Sequence, residues 1–174
     1  MADVIRIANC SGFYGDRLDA AREMVEGGPI DVLTGDYLAE LTMSILYNQK
    51  QQRGEDMGYV GTFLKQVKEV AAACKEKNIK IVSNAGGLNP SSMAAEVEKI
   101  LAEQGIDMKV AYIDGDNLLD DLETLQADGE KFTNLDTQVD LCDTDQQALT
   151  ANAYLGGWGI KEALDQGADI VICP

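Results

Sequence analysis

Short apolar runs alternate with stretches of helical periodicity along the whole chain. Val4-Ile5-Arg6-Ile7-Ala8 predicts a strand, and Leu18, Ala21, Met24 and Val25 then recur at helical spacing until Gly27-Gly28 ends the helix. Ile30-Asp31-Val32-Leu33 predicts a second strand, followed by a helix marked by Leu38, Leu41 and Ile45. The polar stretch 48–56 is expected to break that helix. Leu64, Val67, Val70, Ala71 and Cys74 define the face of the next one. A third strand over 79–82 leads to a helix carrying Met93, Ala94, Val97, Ile100 and Leu101. Residues 109–113 and 168–173 supply two more strands, with Ile160, Ala163 and Leu164 on a helix between them.

Strands that alternate with helices form βαβ units, so the expected fold is α/β. It is a doubly wound, mainly parallel sheet of about five strands with helices on both faces. Residues 1–174 read as one such domain, or as the N-terminal part of a larger protein, because the chain stops at Pro174 directly after a buried strand. Residues 127–150 depart from the pattern. They hold six acidic residues and one lysine without periodicity, and read as an acidic insertion, flap or interface.

The 174 residues are enough for one full core. Fourteen basic residues against thirty acidic ones give a net charge of −16, which argues against nucleic acid and anionic membrane surfaces as partners. Cys10, Cys74, Cys142 and Cys173 form no CxxC pair, which argues against a zinc site or a disulfide scaffold. With no signal-peptide pattern at the N-terminus, the expected location is the cytoplasm. Histidine is absent, so proton transfer falls to Asp, Glu, Cys, Lys, Tyr or a metal-bound water.

In parallel sheets ligands bind beyond the carboxyl ends of the strands, and the sequence places its small polar residues there. The first such loop offers Asn9, Ser11, Gly12 and Arg17, with backbone N–H groups for an anion and a guanidinium for a carboxylate or phosphate. The alternative is a plain helix start with Arg17 in solvent. Cys10 beside it suits a buried filler better than a thiolate. The second loop offers Gly35, Asp36 and Glu40, where Asp36 acts as a general base or merely caps a helix. The third is VSNAGGLNPSSM, in which Gly86 and Gly87 permit close backbone approach while Asn89 and Pro90 open a helix; Asn84 stands at its head. Asp114 and Asp116 suit a solvated helix start better than a Mg²⁺ shell. The glycine-dense stretch 152–159 precedes the last strand and on bare topology belongs to the opposite edge, unless the insertion at 127–150 carries it back.

Five segments in order, IANCSGFYGDR, DVLTGDYLAELTM, IVSNAGGLNP, ANAYLGGWGI and GADIVICP, resemble the N-terminal region of the acyclic terpene utilisation (AtuA-like) family. The resemblance spans nearly the whole chain. It implies a place in the catabolism of acyclic terpenes such as citronellol and geraniol through acyl-CoA intermediates, and a longer polypeptide than this one. The expected function is an enzyme, or part of one, with hydratase- or lyase-type chemistry on an acyl-CoA or small carboxylated substrate. Asp36 or Glu40 would move protons there, with no metal. A non-catalytic binding or assembly subunit is the alternative. Either reading pairs a small-molecule ligand with a homo-oligomer or a complementary second chain.

Overall fold

The computed structural model describes residues 4–174. In chain order the elements are β1 (Ile7–Asn9), α1 (Ala20–Gly27), β2 (Val32–Gly35), α2 (Glu40–Arg53), α3 (Gly61–Lys77), β3 (Lys80–Ser83), α4 (Pro90–Gln104), β4 (Val110–Tyr112), α5 (Leu122–Ala127), α6 (Trp158–Asp165) and β5 (Ile170–Ile172). The five strands form one sheet in the order β1-β2-β3-β5-β4, and every pairing is parallel. No helix among the described residues is long and apolar enough to cross a membrane.

The first three strands step one way along the sheet, and β4 then leaves a place that β5 fills on the way back. Right-handed crossovers put α1, α3 and α4 on one face and α6 on the other. In agreement, α1 packs on α3 and α3 on α4, while α6 packs on β5. The core lies under the α1–α3–α4 layer, where Leu33, Ile81, Ile170 and Ile172 meet Val25, Phe63, Val67, Val70, Met93 and Val97. Asn89 caps α4 by accepting a hydrogen bond from Ser92 N at 3.2 Å, and Pro90 takes the first helical position, as the sequence pattern requires.

Several expected boundaries move. The polar stretch from Asn48 does not break α2, which runs on to Arg53 and stops at Gly54. Long polar side chains such as Gln and Lys are good helix formers, so polarity alone ends nothing. The expected apolar face of α2 is also out of phase. Thr42 and Leu46 are buried, while Leu41 and Ile45 face solvent. In α1, Ala21 and Val25 are buried, whereas Leu18 precedes the helix and is exposed, as is Met24. The first strand begins only at Ile7, leaving Val4 and Ile5 exposed.

The chain divides into two compact units, one running to Asp114 and resuming with Leu155–Pro174, the other being Gly115–Tyr154. The second carries ten acidic residues and one lysine. Its ends are stitched together: Asn117 and Asn152 form an antiparallel bridge, Ala153 N donates to Asp116 O at 2.8 Å, and Asn152 Nδ2 donates to Asp116 Oδ2 at 2.7 Å. Its one lysine, Lys131, pairs with Asp140 at 3.1 Å.

Candidate functional site

Parallel pairing brings the carboxyl ends of β1, β2 and β3 side by side, with Asn9 beside Thr34 and Thr34 beside Val82. The loops that follow are tied directly to one another. Asp36 N donates to Ser11 O at 2.9 Å, joining the second loop to the first. Asn84 joins the third to the second at two points: its Oδ1 accepts from Tyr37 N at 2.9 Å, and its Nδ2 donates to Asp36 Oδ1 at 2.7 Å. Leu38 N also points to Asp36 Oδ1, at 3.4 Å. Among the described residues, Oδ2 of Asp36 accepts no hydrogen bond, so the exposed carboxylate keeps one oxygen held and one open.

The support below is buried. The Tyr37 ring lies under Gly35, where an added Cβ would sit 2.6 Å from a ring carbon, and it meets Phe63 edge-on at 5.8 Å. Tyr37 Oη donates to Gln66 Oε1 and lies 3.8 Å from Cys10 Sγ. Burial pushes the Tyr37 hydroxyl far above its ordinary range, so it stays a donor. Burial also pushes the Cys10 thiol up, against the hydrogen bond with Tyr37, which fits a buried filler rather than a thiolate. Ser83 Oγ donates to Gly35 O at 3.0 Å, fixing β3 against the end of β2.

Other expected ligand groups are already engaged within the chain. Gly12 N donates to Asp16 Oδ2 at 2.9 Å and Ser11 Oγ to Phe13 O at 3.0 Å, so these donors of the first loop close on the loop itself. The hydrogen bonds from Gly12 and Arg17 hold the Asp16 carboxyl below its usual range. Arg17 reaches back to Asp19 and Glu23. The close approach that Gly86 and Gly87 permit is taken by the chain's own atoms. A Cβ on Gly86 would lie 2.5 Å from Cys173 O, and one on Gly87, whose φ is +54°, would lie 2.4 Å from Leu46 Cδ1. Gly86 N donates to Cys173 O at 3.0 Å and Leu88 N to Gly58 O at 2.8 Å. Asn89 is occupied as a cap, and its Nδ2 donates to Glu55 O and Met57 O. Glu40 is exposed at the start of α2, and Ser44 Oγ donates to its carbonyl.

The structure therefore brings together Asn9, Ser11, Gly35, Asp36 and Asn84, and turns Gly86, Gly87 and Asn89 toward α2 and the end of β5. Sequence reasoning names Thr34 and Tyr37 in the second loop without giving either a role; Thr34 is half-buried next to Asn9, and Tyr37 is a support, as are Gln66 and Ser83, which it missed. Of the two edges left open for the end of the stretch 152–159, the start of α6 takes the carboxyl edge. Gly159 sits against Ile113, with an added Cβ 3.2 Å from that side chain, just past the carboxyl end of β4. At the other end of α6, Gln166 O accepts from Lys109 Nζ, which precedes β4. Trp158, at the first turn of α6, thus stands at the carboxyl edge and is 80% exposed. Asp114 is where the chain leaves the first unit, and Asp116 is bonded to Asn152 in the second. Among the described residues, no group of three or more Cys, Asp or Glu side chains is placed to hold a metal.

An exposed carboxylate with one oxygen held by the Asn84 amide and the other open can accept a proton or a hydrogen bond from a small polar group. No curated protein and no solved structure matches the chain. The model of the acyclic terpene utilisation family protein AtuA matches residues 5–174, every strand of the sheet included, and the chain belongs to that family.

Proposed function

We infer that this member of the acyclic terpene utilisation family uses Asp36 to move a proton on an acyl-CoA or another small carboxylated intermediate, in a hydration, dehydration or lyase step. The Asn84 brace on Asp36 carries the reading. One oxygen is fixed by a half-buried amide while the other stays open, which orients a carboxylate for proton transfer in a chain that has no histidine. Asn9 and Thr34 are neighbours in the sheet register, and although Asn9 Oδ1 accepts from Ser11 N at 3.4 Å, its amide N–H groups are left to meet a polar head. The acyl-CoA class follows from the family's pathway, and the roles of the residues follow from their hydrogen bonds.

The test is native mass spectrometry of the purified chain with a panel of linear and branched acyl-CoAs, followed by product analysis. Asp36→Asn is expected to lower turnover by about 10²–10⁴-fold, the usual contribution of a positioned acid or base, with an unchanged circular dichroism spectrum. Undiminished turnover in that variant, or absence of binding across the panel, overturns the reading.

A further inference from the structure

Gln66 is 3% exposed on α3, in a stripe otherwise made of Phe63, Val67, Val70, Ala71 and Cys74. A methionine of similar volume would fill that place without taking an amide out of water, which costs free energy unless the amide is bonded. Both of its ends are. Oε1 accepts from Tyr37 Oη, and Nε2 donates to Arg17 O at 3.3 Å. The Cys10 thiol, 3.8 Å from the same hydroxyl, is only a weak partner, so Tyr37 depends on Gln66 for its acceptor.

These two bonds close a circuit around the site. Arg17 ends the first loop, and Ser11 near its start accepts from Asp36 N through its carbonyl at 2.9 Å. Tyr37 follows Asp36 in the chain, and its N donates to Asn84 Oδ1 at 2.9 Å. Gln66, Tyr37, Asp36, Ser11 and Arg17 therefore lie on one closed ring of covalent and hydrogen bonds. Asn84 meets Asp36 Oδ1 from outside that ring at 2.7 Å. The helix that carries Gln66 packs against both α1 and α4, with Ala71 and Cys74 fully buried. A fully bonded buried amide on such a support fixes one arrangement of the groups it joins.

We propose that Gln66 is a positioning residue for Asp36: it sets the first loop against the Tyr37 ring and so fixes the backbone from which Asp36 meets Asn84. The effect on turnover rests on Asp36 being the group that moves the proton, whereas the effect on the Asp36–Asn84 pair does not.

The test compares the wild type with Gln66→Met, which loses both bonds at similar volume, and with the double variant Tyr37→Phe, Gln66→Met. The second change also removes the hydroxyl left without an acceptor. In proton–nitrogen correlation spectra the Asn84 side-chain amide, bonded to the Asp36 carboxylate in the wild type, is expected to move toward the position of exposed asparagine amides in both variants. The Asn89 amide, which donates to Glu55 O and Met57 O, stays in place as the internal control. The double variant should regain melting midpoint over Gln66→Met without regaining the Asn84 signal, a split that a purely structural role would not give. With an acyl-CoA that the wild type turns over, kcat should fall about tenfold to a hundredfold in both variants at nearly constant KM. An Asn84 amide at its wild-type position in either folded variant, or an undiminished kcat, overturns the proposal. Should no acyl-CoA of the panel be turned over, the function proposed for Asp36 fails, while the Asn84 spectrum still decides the role of Gln66.

Discussion

The two oxygens of Asp36 differ because Asn84 binds one of them, and that asymmetry could not be read from the sequence. Asn84 stands 48 residues away and reads as one more small polar residue in a loop. The glycines were legible as a place where something approaches the backbone closely, but the approaching atoms proved to be Cys173 O, Leu46 and Gly58 O. A sequence reports a missing Cβ without reporting what fills the space. Two outcomes follow. Gly35→Ala drives a methyl group into the fixed Tyr37 ring and is expected to lower stability by about 1–3 kcal/mol in urea denaturation. Gly87→Ala combines a left-handed φ with a clash against Leu46, so its loss should exceed that of Gly35→Ala in the same measurement.

At the scale of elements, the existence and type of the main helices were legible and their phase was not always. In α3 and α4 the periodic residues are the buried ones, including Val67, Val70, Ala71 and Cys74, then Met93, Ala94, Val97 and Leu101. These helices lie against the sheet, whose apolar face selects the apolar stripe. In α2 the buried face is set instead by the close approach of Gly87, so a threonine and one leucine are covered while Leu41 and Ile45 are not. Leu46→Ala should therefore cost about 2–5 kcal/mol, whereas Leu41→Ala should change stability by no more than about 0.5 kcal/mol. Thermal melts of the two variants decide between the observed phase and the periodic one.

For the molecule as a whole, charge governs the response to conditions. Asp169, largely buried before β5, meets Lys80 at 2.6 Å and Lys75 at 3.9 Å. Burial alone would push its carboxyl up, but the hydrogen bonds from Lys80 and the Lys109 backbone, with the charges of Lys80 and Lys75, outweigh it and hold the group below the usual carboxylate range. A folded value below the unfolded one gives stability that is fully present above the unfolded value, about 3.9, and is lost as pH falls through the folded value. The difference in urea midpoint between wild type and Asp169→Asn should thus stay constant from about pH 7 to 5 and close below about pH 4. Screening the net charge of −16 removes self-repulsion, so moderate salt should raise the melting temperature of the wild-type chain.

The sequence by itself determined the α/β class, the capped start of α4 and the family, because these rest on local periodicity, turn chemistry and ordered motifs. Tertiary structure alone decided the strand order, the site of α6's first turn, the phase of α2 and the pairing of Asn84 with Asp36. Each of these depends on which distant segments share a surface, and hydrophobic spacing along one segment carries no record of its neighbour in space.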